Sequence, residues 1–141
     1  LAGAGFRALA DAQDAAAKAT DGGAERLVAI GRSYVGFALA HPQLYRLMYG
    51  VGVSDWCRHP GVRDAKRASF EPVQAALAGH LGPGADPHVL RVAAVSAWAE
   101  VHGLSMLLLD GSLGDDAGVP GGNAALVDTI LATFVAGLRH G

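Results

Sequence analysis

Apolar residues recur along the chain at the spacing of α-helices, and almost no stretch alternates apolar and polar residues as a half-buried strand does. Clusters of glycine and proline separate the segments that carry this pattern. The predicted helices span residues 1–20, 24–40, 42–50, 60–80, 87–110 and 124–139. The pattern therefore predicts an all-α fold, an orthogonal or antiparallel bundle of about six helices.

Polar and proline residues refine the predicted helix ends. Asp86 and Asn123 each precede an apolar helical segment and are expected to cap it, because their side chains accept hydrogen bonds from free backbone N–H groups. Pro87 suits the first turn of the helix that Asp86 caps. Pro72 stands inside the helix predicted over 60–80 and is expected to kink it.

The last two long helices are apolar on every side. In residues 89–109, apart from Arg91 near the start, only Ser96, Glu100, His102 and Ser105 interrupt the apolar surface. A helix that is hydrophobic all round is buried all round, and one domain of this size can hardly surround two such helices. We therefore expect a homodimer in which these two helices and their copies form an intermolecular four-helix bundle. The residues expected at this interface are Ala93, Ala97, Leu104, Leu108, Ile130, Phe134 and Gly137.

The same apolar stretch raises the alternative of a membrane span, which needs about 20 apolar residues. Glu100 and His102 stand near its middle, where a charged side chain costs about 3 kcal/mol. The final helix is too short to span, and the rest of the chain is amphipathic. No membrane partner is therefore expected, and Gly103 is interpreted as a place where a second helix approaches closely.

Composition and charge agree with a partly covered surface. The chain has 141 residues, enough for one domain, and only 17% of them are charged, against about a quarter in typical soluble proteins. The formal net charge of −2 provides no overall attraction to nucleic acid. The single cysteine, Cys57, excludes an internal disulfide. The sequence opens within a helical pattern, so we expect a further segment before residue 1.

Catalytic and metal-binding patterns are weak. Glu100 and His102 lie two positions apart, which places them on different sides of a helix, so they do not share one ligand. The helical spacings typical of metal-binding Glu and His pairs do not occur. Cys57 and His59 lack an evident third member of a catalytic set. The sequence predicts no catalytic residue, no metal and no cofactor, and a small helical enzyme remains as an alternative.

A binding cavity has better support. Trp98 and His102 lie one helical turn apart and share a face. Aromatic or flexible apolar residues from other segments are expected to join them, namely Tyr34, Phe37, Tyr45, Met48, Trp56 and Phe70. Such a chamber fits a small hydrophobic or aromatic effector with one hydrogen-bonding group near His102. The alternative is that these residues form a plain core, in which case the chain is a dimerisation module without a ligand.

Three stretches resemble tetracycline-repressor (TetR) family regulators. Residues 34–49, "YVGFALAHPQLYRLMY", resemble the family's helix, His-Pro break and short helix. Residues 96–113, "SAWAEVHGLSMLLLDGSL", resemble the Trp and His-Gly signature of the WHG-type C-terminal domain. The segment "SFEPVQAAL", residues 69–77, fits the long helix between them. The resemblance covers nearly the whole chain.

This resemblance implies that residues 1–141 form an all-helical ligand-binding and dimerisation domain, in which the last two long helices form the homodimer interface. Members of the family are cytoplasmic transcriptional regulators, usually repressors, that leave DNA when a small effector binds. Their DNA-binding part is an N-terminal helix-turn-helix region, which nothing in this sequence matches. Residues 1–20 would then be the connecting helix, and DNA would be bound through the missing region and not through this chain.

Overall fold

The computed structural model of the chain describes residues 2–50, 58–114 and 120–138, and most of them lie in six α-helices. The helices are α1 Ala2–Lys18, α2 Gly23–Ala40, α3 Pro42–Tyr49, α4 Pro60–Leu81, α5 Pro87–Leu109 and α6 Gly122–Gly137. No strand occurs in these three ranges. The predicted all-α fold and the number of helices are confirmed, and each boundary falls within a few residues of its predicted position.

The starts of α5 and α6 differ in how they are capped. The Asp86 carboxylate accepts a hydrogen bond from the backbone N–H of His88 at 2.7 Å, as predicted for this cap. The prediction that Asn123 caps the last helix is wrong, because Gly121 takes the cap position with φ 91° and Asn123 lies inside the first turn. The Asn123 amide instead donates to the Gly114 carbonyl at 3.2 Å.

Helix α2 lies at the centre of the fold and packs against each of the other five helices. Gly31 permits the closest of these approaches, since a Cβ added there would come within 2.7 Å of the Leu131 side chain on α6. An equally close contact occurs where α1 meets α3, because a Cβ at Gly5 would come within 2.6 Å of the Met48 sulfur. At Gly31 and Gly5, the lack of a side chain therefore allows the neighbouring helix to pack this closely.

The interior divides into two apolar clusters. The first contains Phe6, Tyr45 and Met48 and joins α1, α2 and α3 to α5 and α6. The second contains Leu77 and Val135 and joins α2 and α4 to α5 and α6. Helix α1 packs most extensively on α4 and also contributes buried residues to the first cluster.

Helices α5 and α6 both rest on α2, but they are not closely packed against each other. An open groove of about 440 Å³ separates them. On the side of α5 away from α2, Val92, Val95 and Leu107 are 51%, 44% and 45% exposed. We call these three residues, together with the exposed Ala99, the outer face of α5. The expectation that one domain leaves part of these apolar helices uncovered is met on α5, whereas the large apolar side chains of α6 are at least partly buried and the intermolecular bundle stays a prediction.

Helix α5 is, within the described ranges, the one helix long and apolar enough to cross a membrane by length and composition. The side of α5 opposite to its outer face is buried against the rest of the chain through Ala94, Val101 and Leu104. Burial of this side explains the apolar residues on it, but not those on the exposed outer face.

Candidate ligand cavity

A small cavity lies where α1, α2, α4, α5 and α6 meet, with Tyr49 at the end of α3 closing one side. Its volume is about 50 Å³, room for one or two water molecules. Its wall is mostly apolar and aromatic and is formed by Gln13, Leu27, Ile30, Gly31, Tyr34, Tyr49, Ser69, Phe70, Val73, Ala97, Trp98, Glu100, Val101, Leu131, Phe134 and Val135.

The sequence-predicted binding residues fall into two groups. Tyr34, Phe70 and Trp98 line the cavity, from three different helices. The other described ones lie outside its wall: Phe37, Tyr45 and Met48 are buried in the core, and His102 stands beside the cavity. Trp56 falls outside the described residues.

The residues expected at the dimer interface are also divided. Ala93 and Leu104 are 7% and 5% exposed, so the chain itself already buries them. Ala97 and Phe134 line the cavity, and Leu108 and Ile130 pack against the first apolar cluster. Gly137 is exposed, at the groove between α5 and α6. An added Cβ at Gly103 would meet no atom within 4 Å, so close helix approach inside this chain occurs at Gly31 and not at Gly103.

Aromatic rings pack around Trp98 as its position on α5 predicts. The indole ring makes an edge contact with Phe70, with ring centroids 5.1 Å apart, and lies 6.0 Å from the His102 ring. Tyr49 connects this group to the first helix, since its ring lies 6.1 Å from Trp98 and makes an edge contact with Phe6 at 5.3 Å. The shared face predicted for Trp98 and His102 is confirmed.

A chain of hydrogen bonds runs behind this cavity wall. The hydroxyl groups of Tyr34 and Tyr45 are 2.8 Å apart, and the Tyr45 hydroxyl lies 2.6 Å from Nδ1 of His102. The Tyr34 hydroxyl is also 3.5 Å from that nitrogen, a long contact. We refer to Tyr34, Tyr45, Tyr49, Trp98 and His102 as the aromatic network.

Burial keeps the titratable members of this network uncharged. It raises the pKa of Tyr34 and of Tyr45 above their usual range and raises the pKa of Tyr49 to about 12. Burial also lowers the pKa of His102, and the nearby positive charge of Lys66 lowers it further. In the tautomer with an unprotonated Nδ1, the Tyr45 hydroxyl donates to His102 and its oxygen can accept from the Tyr34 hydroxyl.

Trp98 has two further features, a nearby cation and a buried indole N–H group. The Lys66 ammonium lies 5.6 Å from the centre of its ring and 6.0 Å from that of Tyr49, an arrangement that favours a cation over the ring face. The indole Nε1 is buried and makes no hydrogen bond of standard geometry with the described residues, although it is near enough to the Tyr49 hydroxyl to lower the pKa of that group.

Three polar residues of the wall were missed from the sequence. The Gln13 amide, 4% exposed, donates to the Ser69 carbonyl at 2.8 Å and so bridges α1 and α4. Glu100 is partly buried and lies on the cavity side of α5. The sequence does contain a signal that these residues face the interior. Gln13 shares a helix face with the apolar Phe6 and Leu9, and Glu100 shares one with Ala97 and Leu104.

Neither a metal-binding set nor a catalytic set is found in the described ranges. No group of three or more His, Cys, Asp or Glu side chains is placed to hold a metal ion there. Glu100 lines the cavity, whereas His102 lies outside its wall and contacts the Tyr45 hydroxyl. Cys57, considered together with His59, falls outside the described residues.

Comparison with known proteins agrees with this architecture. The family model described as "Tetracyclin repressor-like, C-terminal domain" matches residues 27–134, from α2 into α6. A solved structure, that of a protein with unknown function from Rhodococcus sp. RHA1, superposes with a TM-score of 0.80 at 29% sequence identity. That alignment covers 98% of this chain and 70% of the other. No curated protein sequence matches the chain. The chain thus belongs to the tetracycline-repressor family of regulators, of which it represents the C-terminal domain.

Proposed function

We propose that the chain is the effector-sensing and dimerisation domain of a cytoplasmic TetR-like transcriptional regulator, most simply a repressor. A small, mainly apolar ligand enters the cavity and changes DNA binding by a helix-turn-helix region that precedes α1. The observation that carries this proposal is the cavity wall itself, in which aromatic residues from α2, α4 and α5 meet Gln13 from α1.

The small volume of the cavity is part of the proposed mechanism. Pockets that hold drug-sized ligands measure about 300–1,000 Å³, so at about 50 Å³ this cavity must expand to admit one. Expansion requires the surrounding helices to move apart. A ligand that binds only the expanded packing therefore shifts the population toward it, as a two-state switch requires.

Helix α1 is the element that would carry this change to the DNA-binding region. It is held to the cavity wall by the Gln13–Ser69 hydrogen bond and by the contact between Phe6 and Tyr49. Movement of the wall at Ser69 or Tyr49 thus displaces α1. In a dimer, the displacement changes the spacing of two DNA-binding regions that must fit half-sites about one helical turn apart.

Dimerisation is proposed through the exposed apolar surfaces of α5 and α6. The outer face of α5 supplies Val92, Val95, Ala99 and Leu107, and the open groove beside it can accept a helix of a second copy. Buried Ala93 and Leu104 would support this surface from within. Apolar residues exposed together in this way are typical of a site covered by a partner.

The proposal is tested by binding of a small apolar probe. tert-Butylbenzene should raise the thermal unfolding temperature of the wild-type chain, because a ligand that binds only the folded state stabilises it by mass action. Ala97→Leu replaces a small residue of the cavity wall by a larger one that fills the cavity, and it should abolish that rise in unfolding temperature. Val92→Leu, on the outer face of the same helix, should keep it. A probe that stabilises wild type and Ala97→Leu equally would contradict binding in this cavity.

Two other functions make different predictions. A dimerisation module without a ligand is favoured by the small cavity volume and would dimerise without responding to any cavity probe. A small helical enzyme would need catalytic groups that converge on the cavity. The family to which the chain belongs consists of regulators, which places the sensing role ahead of both.

A further inference from the structure

Glu100 is the one acidic side chain in the wall of the cavity, and its surroundings are unusual for a carboxylate. It lies on α5 between Ala97 and Leu104, on the side that faces the interior. It shares the cavity wall with the aromatic rings of Trp98 and Phe134. A charge placed among apolar groups is unfavourable unless a positive charge or hydrogen-bond donors compensate it.

No such compensation occurs within the described part of the chain. The ion pairs found there involve Asp14, Asp64, Asp110 and Asp128, with oppositely charged nitrogens at 2.8–3.9 Å. Glu100 takes part in none of them, and it accepts no hydrogen bond from these residues. Its negative charge is therefore available to a positively charged group that enters the cavity.

The aromatic part of the wall is suited to the same kind of group. The faces of aromatic rings attract cations, and alkylated ammonium groups are often bound by several rings together. Trp98 and Tyr49 already show this behaviour, since the Lys66 ammonium lies 5.6 Å from the ring centre of Trp98 and 6.0 Å from that of Tyr49. Lys66 is not among the residues that line the cavity.

We propose that the effector is an organic cation with an apolar or aromatic body, whose positive group is placed by Glu100 and whose body packs among Trp98, Phe70 and Phe134. This inference rests on the proposed function, since it assigns a ligand class to the cavity. It narrows that function from any small apolar compound to alkylated ammonium or similar cations.

The experiment compares two probes of nearly the same shape that differ in charge. Phenyltrimethylammonium carries a positive nitrogen where tert-butylbenzene carries a neutral carbon. Dissociation constants for both are measured by calorimetry on wild type, on Glu100→Gln and on the control Glu71→Gln. The control removes the same charge from an exposed position on α4. Sedimentation of each variant is recorded in parallel.

Wild type and Glu71→Gln should bind the cation more tightly than the neutral probe. Glu100→Gln should weaken binding of the cation about tenfold and leave the neutral probe within about twofold. Equal affinity of wild type for both probes, or a cation affinity that Glu100→Gln does not change, would overturn the inference while the proposed function stands. If neither probe binds, both proposals fail. If Glu100→Gln alters dimerisation instead of cation binding, Glu100 belongs to the subunit interface and the inference is likewise overturned.

Discussion

Polar groups are usually exposed and apolar side chains are usually buried, and both the aromatic network and the outer face of α5 depart from this rule. In the network, the buried Tyr34 and Tyr45 hydroxyl groups contact each other, and the Tyr45 hydroxyl also contacts the partly buried His102 imidazole. On the outer face, Val92, Val95 and Leu107 are about half exposed. Both regions lie on or against α5, on adjoining faces of it, since Val95 and His102 are seven positions apart.

The polar groups inside the network and the exposed apolar groups of the outer face have different consequences. Buried polar groups that satisfy one another fix the orientation of rings, so the network gives the cavity wall a defined shape. Exposed apolar groups gain stability only when another surface covers them, so the outer face points to a partner. If the cavity binds a ligand and the outer face of α5 binds a second copy, as proposed, substitutions in the two regions should separate these two properties.

The largest effect is expected on the outer face. Val95→Glu would place two like charges in the proposed subunit interface, and we expect the dimer dissociation constant to rise at least about 100-fold. The control is Leu39→Glu, at an equally exposed apolar position on α2, which should leave the dimer intact. Sedimentation equilibrium at micromolar concentration measures both. Dimers of unchanged stability in Val95→Glu would show that this face is not the interface.

In the network, Tyr45→Phe removes the hydroxyl that Tyr34 and His102 both contact. It should lower the free energy of unfolding by about 2 kcal/mol, because two buried polar groups lose their partner. The double variant Tyr45→Phe with His102→Leu should cost less than the sum of the two single changes. Chemical denaturation provides the values. Additive effects would mean that the 2.6 Å contact between these residues is not energetically coupled.

The packing that positions the cavity is tested on α2. Gly31→Ala should destabilise the chain by about 1 kcal/mol, since the new Cβ would collide with the flexible Leu131 side chain on α6. Gly36→Ala, on the exposed side of the same helix, meets no atom within 4 Å and should instead stabilise by about 0.5–1 kcal/mol. Opposite signs in thermal unfolding are the expected outcome, and equal signs would contradict this close approach.

The smallest effect concerns pH. The pKa of His102 is lower in the folded chain than its ordinary value near 6.5, so below pH 6.5 the unfolded state binds more protons. Stability should therefore fall as the pH drops through 6.5 and level off below the folded pKa. His102→Gln, which keeps an acceptor for Tyr45, should lose this component. A wild type and variant with the same pH dependence between 5 and 7 would contradict the assignment.

Local patterns in the sequence were sufficient to predict the helices and the shared face of the Trp98 and His102 rings on α5. Helical periodicity and the proline and glycine boundaries are local signals, and so is the Asp86 cap. Asn123 failed as a cap because Gly121 adopts φ 91° before it, a conformation that neighbouring glycines allow but do not specify. Gln13 and Glu100 were missed as wall residues because polar residues are usually assigned to solvent.

The sequence by itself determined that the chain is all-helical, that α5 carries more apolar surface than one domain covers, and that Trp98 and His102 share a face. These properties follow from spacing within one helix. Only the tertiary structure decided that Tyr45 pairs with His102, that Gln13 reaches Ser69, and that Glu100 enters the cavity. These residues lie on different helices, and their proximity depends on crossing angles and close approaches such as that at Gly31, which no single segment encodes.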